Sequence, residues 1–173
     1  MHVLLHRVAF YLVLGLLPLV LLAPAWAADP VATYQAIKQA SLRGIPSVDV
    51  IVLPARADPG CLPPAAEQVE VEIEAHLQQD GVPVADGGVA YLFVSVASVA
   101  ALPDLLCGFA ISLELQQIVN LVRDATITTV GATWHKGGLG VVAKENHPAY
   151  VRGMLTALVD EFINAYLEQN PRP

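Results

Sequence analysis

Four residues in the last third of the chain have side chains suited to chemistry. His135 and Lys136 stand together, and Glu145 and His147 follow shortly after. Imidazole and carboxylate groups are ordinary ligands of zinc-class ions. A turn that gathered these four would make a small-ligand or metal site. The familiar motifs do not support one, because the chain has neither His-Glu-x-x-His nor paired Cys-x-x-Cys spacing. His76 belongs to a different element. No metal and no cofactor are expected.

Other candidates are weaker. Lys136-Gly137-Gly138-Leu139-Gly140 places a lysine beside glycines, but a phosphate loop ends in Gly-Lys-Ser/Thr and opens a helix. Here the lysine comes first, so the stretch reads as a flexible hairpin turn. No glycine elbow surrounds any serine, and Ser95, Ser98 and Ser112 read as sheet-face residues. Glu67, Glu70 and Glu74 share a helix face. Paired carboxylates do acid–base work only across a cleft, so these read as a solubilising surface.

Cys61 and Cys107 are the two cysteines. An even pair in an oxidising compartment is expected to bridge; the alternative is two separate buried thiols. The bridge would close a loop of 47 residues, and chain entropy makes that worth about 4 kcal/mol.

The compartment follows from the amino terminus. His2, His6 and Arg7 precede an apolar run of 15 residues, Val8 to Leu22, and then Pro24 and the small-x-small string Ala25-Trp26-Ala27. That is the order of a secretory signal, residues 1–27, with cleavage expected after Ala27. The run is short of the roughly 20 residues that span a membrane, and Pro18 interrupts it. No Cys lies at the junction, so an acylated product is not expected. The product of 146 residues would carry 8 basic and 16 acidic residues, a balance of −8. With no basic cluster, such a chain is repelled by phosphate backbones, which excludes nucleic acid as a partner. A periplasmic or secreted protein without a membrane span is expected.

Elements that must position these residues can be read in turn. Residues 28–44 form an amphipathic lead-in helix with Tyr34, Ile37 and Leu42 on its apolar side. The domain proper covers residues 45–173. Ile45 to Leu53 reads as a buried strand, and Pro54 to Pro64 as a loop. Val69-Glu70-Val71-Glu72-Ile73-Glu74 alternates as a strand would, but Val69, Ile73 and Leu77 recur every four residues and, with Gly81 as a cap, favour a helix over 65–80. Val89 to Val99 alternates as a strand, and 101–108 is a loop. A strand follows from Phe109, with a bulge or bend past Gln117. Thr126 to Trp134 is a further strand, 135–140 a turn, and Val141 to Ala143 a possible extension. Val151, Leu155, Leu158, Phe162 and Tyr166 make the apolar stripe of a terminal helix, with Asn146 placed to cap it.

The resulting class is α+β: a small mixed four-stranded sheet with helices on one face, in the order α-β-α-β-β-β-α. The first strand, its crossover helix and the next strand should form a right-handed parallel unit. Their ends then meet at one edge, which brings Cys61 and Cys107 together. Loops 54–64, 100–108 and 135–147 converge there. That rim, with Asp58, Asp104, His135, Lys136, Glu145 and His147, is the candidate binding surface.

The strand Val48 to Leu53, the string Leu77-Gln78-Gln79-Asp80-Gly81-Val82-Pro83-Val84 and the terminal Leu158-Val159-Asp160-Glu161-Phe162-Ile163 resemble small exported α/β domains of bacterial envelopes. Examples are the amino-terminal domain of TolB and the lipoproteins that activate penicillin-binding proteins. Ala132-Thr133-Trp134 and Glu161-Phe162-Ile163-Asn164-Ala165-Tyr166-Leu167 are similar to uncharacterised bacterial periplasmic proteins. The resemblance implies a non-catalytic module that binds a protein partner in the envelope. A small-ligand or metal-binding protein built on His135, Lys136, Glu145 and His147 is the second expectation.

Overall fold

Alternating apolar residues build the centre of the fold. In the strand Ala90–Ala101 (β3), Ala90, Leu92, Val94 and Val96 are buried while Tyr91, Phe93 and Ser95 are partly exposed. In Leu106–Leu121 (β4), Cys107, Phe109, Ile111, Leu113 and Leu115 keep the same phase. A period of two presents one face of both strands to a core and leaves the other face open. The computed structural model describes residues 30–102 and 105–171. The expected signal segment and Asp104 lie outside them.

The remaining elements are α1 (Pro30–Ala40), β1 (Asp49–Val52), β2 (Arg56–Ala57), α2 (Ala66–Gln79), β5 (Asp124–Ala143), a 3-10 turn (Lys144–Asn146) and α3 (His147–Gln169). Tyr34–Pro173 is one unit and Met1–Thr33 another. The sheet runs β1-β3-β4-β5, with β2 also pairing β3. Both β1 and β2 pair β3 in parallel, at Tyr91–Val94 and at Ala97–Ser98. They are one edge lane broken at Leu53-Pro54-Ala55. The fold is therefore α+β with a mixed sheet, and its fifth strand continues the edge lane of the expected four.

The helices cover the buried face. Val69, Ile73 and Leu77 of α2 join Val151, Leu155, Leu158, Val159, Phe162 and Ile163 of α3 in the core against β3 and β4. Trp134 of β5 packs edge-on against Phe162, with ring centroids 5.2 Å apart. Tyr166 donates from its hydroxyl to the Ile45 carbonyl at 2.8 Å, fixing the chain that enters β1. Gly81 takes φ +83°, the left-handed conformation that ends a helix without strain.

Four local expectations are corrected. The turn expected at 135–140 is strand: β5 runs unbroken for 20 residues and pairs β4 from Leu106↔Ala143 onward. Its glycines serve close approach instead of reversal. A Cβ at Gly138 would stand 2.5 Å from Met154 Sδ, and one at Gly140 would stand 2.8 Å from the Phe109 ring. Likewise, the loop expected at 101–108 is shorter, because Leu106 and Cys107 already pair in β4. Of the stripe expected on the lead-in helix, only Leu42 is buried. Tyr34 and Ile37 are 54% and 66% exposed while Lys38 is 8% exposed. Asn146 stands at the N-cap of α3, and its side chain makes no capping hydrogen bond.

Candidate functional site

At one end of the sheet the rim is assembled as the topology requires. Cys61 follows the edge lane, Cys107 is the second residue of β4, and the two form a disulfide with Cα atoms 5.7 Å apart. Asp58 accepts a hydrogen bond from the Ala100 amide at 2.8 Å, and the Cys61 amide donates to the Asp58 carbonyl at 2.9 Å. The Lys144 amide donates to the Leu105 carbonyl at 3.0 Å. Together these segments enclose a cleft of about 240 Å³ between Asp58, Gly60, Cys61, Ala100, Leu106 and Lys144. Among the described residues no helix is long and apolar enough to cross a membrane. The disulfide fits an extracytoplasmic compartment.

The other rim candidates part company. Because β5 continues through 135–140, His135 lies opposite Glu114 and Lys136 opposite Leu113, well along the strand from the rim. Their side chains point to opposite faces. His135 is exposed on the open face, and Lys136 turns to the helix side, where its Nζ meets Glu161 at 2.5 Å. Glu145 is exposed in the 3-10 turn.

His147 is sealed in. It is 1% exposed, its ring lies edge-on to Phe109, and its Nε2 is 3.0 Å from the Ser98 hydroxyl, which is 2% exposed. Burial pushes its pKa below the ordinary imidazole value, with the Leu62 backbone opposing. A Ser–His pair closed to solvent cannot meet a substrate. Its role is to pin the end of β3 to the start of α3.

Lys38, from the last turn of α1, lies beside Lys136 and Glu161. Its Nζ donates to the His135 carbonyl and stands 5.5 Å from the centroid of the Trp134 ring. Burial, then Lys136, lowers its pKa, while Glu161 raises it. Ser41 donates to the carbonyl of Thr133, the residue that bulges where Leu115 pairs Trp134 and Gln116 pairs Ala132. Lys38 and Ser41 thus occupy part of the outer edge of β5.

Sequence reasoning missed the open face of the sheet. Across β3, β4 and β5 the rows are Ser95, Ser112 and Gly137; then Ala97, Ala110 and Leu139; then Val99, Gly108 and Val141. The break in the edge lane leaves a groove of about 400 Å³ there, lined by Leu53, Pro54, Arg56, Ala97 and Ala110 among others. Beside it Leu139 is 82% exposed, Val141 64%, Val99 56% and Leu53 43%. The signal was present in the alternation of 89–99. It was hidden at 137–141, where glycines suggested a turn.

No protein-family model matches this chain, and no curated protein does. Among solved structures, a dodecamer of a PelC variant from Paraburkholderia phytofirmans is similar at a TM-score of 0.38 and 16% identity. That match covers 72% of this chain and 88% of that one.

Proposed function

We propose that this chain is an exported, non-catalytic module of the periplasm or secreted space that binds a protein partner in the cell envelope. The observation that carries this is the apolar patch of Leu53, Val99, Leu139 and Val141 on the helix-free face of the sheet. Contiguous exposed apolar surface on a soluble domain marks an interaction site. The patch adjoins β5, whose outer edge pairs with no strand among the described residues and, beyond the part taken by Lys38 and Ser41, can accept an added strand. The signal-like amino terminus and the Cys61–Cys107 bridge support export. A small-ligand reading built on His135, Lys136, Glu145 and His147 has no such support, since Lys136 faces Glu161 and His147 is sealed against Ser98.

The test is co-purification of the tagged, exported protein with its envelope partner, repeated with Leu139→Glu plus Val141→Glu. Both positions are exposed, so the variant should keep its disulfide and its melting temperature while losing the partner. Undiminished recovery of that partner by the double variant would refute the reading.

A further inference from the structure

The seam between α2 and α3 carries a convergence that neither packing nor the proposed partner surface explains. His76 and Asp80 stand four residues apart in and just after the last turn of α2, so they share a face. Asp160 comes from α3. His76 Nε2 lies 3.2 Å from Asp80 Oδ2 and 3.1 Å from Asp160 Oδ1. One further step along the seam, Arg152 Nε meets Glu72 Oε2 at 3.1 Å.

The arrangement at His76 is unlike that ordinary ion pair. A ring nitrogen carries at most one hydrogen, whether the imidazole is neutral or charged. Two carboxylate oxygens from different helices nevertheless converge on that one atom. A single N–H can serve both only as a bent, weaker three-centre bond. A cation at the point of convergence would take a lone pair from each of the three atoms.

Distances favour this. Metal–nitrogen and metal–oxygen bonds of 2.0–2.2 Å, at angles between right-angled and tetrahedral, separate neighbouring ligand atoms by roughly 2.8–3.6 Å. The observed 3.1 and 3.2 Å fall within that span. All three donor atoms lie within 4.8 Å of one another, and this is the one such group of three or more His, Cys, Asp or Glu side chains among the described residues.

We infer that His76, Asp80 and Asp160 form a binding site for a zinc-class divalent cation that links α2 to α3. Imidazole selects such ions over calcium and magnesium, which prefer oxygen alone. The two carboxylates balance the ion's charge. Three protein ligands leave at least one position for water, as in an exchangeable site and unlike a closed structural one. The side chains are 27%, 46% and 52% exposed, so an ion can reach them. No linear motif announces the site because its third ligand lies on a distant helix.

The chelator-stripped full-length exported protein should take up Zn²⁺ in a saturable one-to-one isotherm by calorimetry, and its melting temperature should rise on binding. Asp160→Asn keeps side-chain shape and removes the charge, and it should weaken binding at least tenfold. His76→Ala should abolish it. Metal-free melting curves of both variants report whether they fold; if His76→Ala does not, Asp160→Asn carries the test. Absence of saturable uptake, or unchanged affinity in Asp160→Asn, would overturn the site. Neither result bears on the open sheet face.

Discussion

The two ends of the β4–β5 ladder are made of the same backbone pairing and held by different means. At the rim end, Leu106 to Leu115 pairs β3 on one side and β5 on the other. That end is fastened by the Cys61–Cys107 bridge, the Asp58–Ala100 hydrogen bond and the buried Ser98–His147 contact. At the far end β3 has stopped, since its pairing begins at Ala90↔Gln117. There Ile118–Leu121 and the first part of β5 stand as a two-stranded ribbon, irregular between Asn120 and Leu121. Its fastenings are polar and local: Thr128 donates to Asn120 at 2.8 Å, and Asp124 accepts both the amide and the hydroxyl of Thr126. Both ends expose apolar side chains, Leu139 and Val141 at one, Val122 and Ile118 at the other. The lesson is that apolar side chains of similar exposure stand on a rigid frame at the rim and on a weakly supported ribbon at the far end.

The largest effect should come from removing the rim's staple. Cys61→Ala with Cys107→Ala is expected to lower unfolding free energy by about 4 kcal/mol, the chain-entropy value for this loop. Denaturant titration of the double variant checks it, and a loss below about 1 kcal/mol would mean the remaining rim contacts suffice alone.

Next comes the buried pin. His147→Ala leaves the Ser98 hydroxyl without its partner and opens a void against Phe109, at a cost of about 2–4 kcal/mol. The same ring gives a pH dependence. Because its folded pKa is lowered, the fold holds it neutral while the unfolded chain protonates near pH 6.5. Its contribution is therefore complete above about pH 6.5 and declines as pH falls toward the folded pKa. Melting curves at pH 7.5 and 5 should show this decline in the native chain and a smaller one in His147→Gln.

The smallest effect belongs to the far ribbon. Val122 is fully exposed at its tip, and Val122→Ser should change stability by less than about 0.5 kcal/mol. Hydrogen exchange read residue by residue should find amides of 118–131 exchanging well before those of 106–115. Equal protection of the two stretches would dissolve the contrast between the ends.

Where periodicity and burial agree, the fold was readable from residues alone. The stripe Val151 to Tyr166 needs no knowledge of its neighbours, while the helix through Val69, Ile73 and Leu77 was decided against a strand by its recurrence and its flanking Pro64 and Gly81. The meeting of Cys61 with Cys107 was also legible, because handedness of the crossover leaves one arrangement. The site was less so. Gly137, Gly138 and Gly140 have the composition of a turn, and only tertiary contact shows that Met154 and Phe109 need the space a side chain would fill. That one misreading moved His135 and Lys136 to the rim and concealed Leu139 and Val141 on the open face. His147 has the residue type of a ligand, and only its burial beside Phe109 identifies it as a pin. Lys38 shows the reverse case, a charge that packs over Trp134 where Tyr34 and Ile37 were expected to be buried.

The central claim is that the partner meets the fastened, open-face patch and not the ribbon. It is tested most directly by placing a photo-crosslinking side chain at Leu139 in one exported protein and at Val122 in another, then irradiating intact cells. The account predicts a discrete adduct of defined mass from Leu139 and none from Val122. The same adduct from Val122, with none from Leu139, would contradict it.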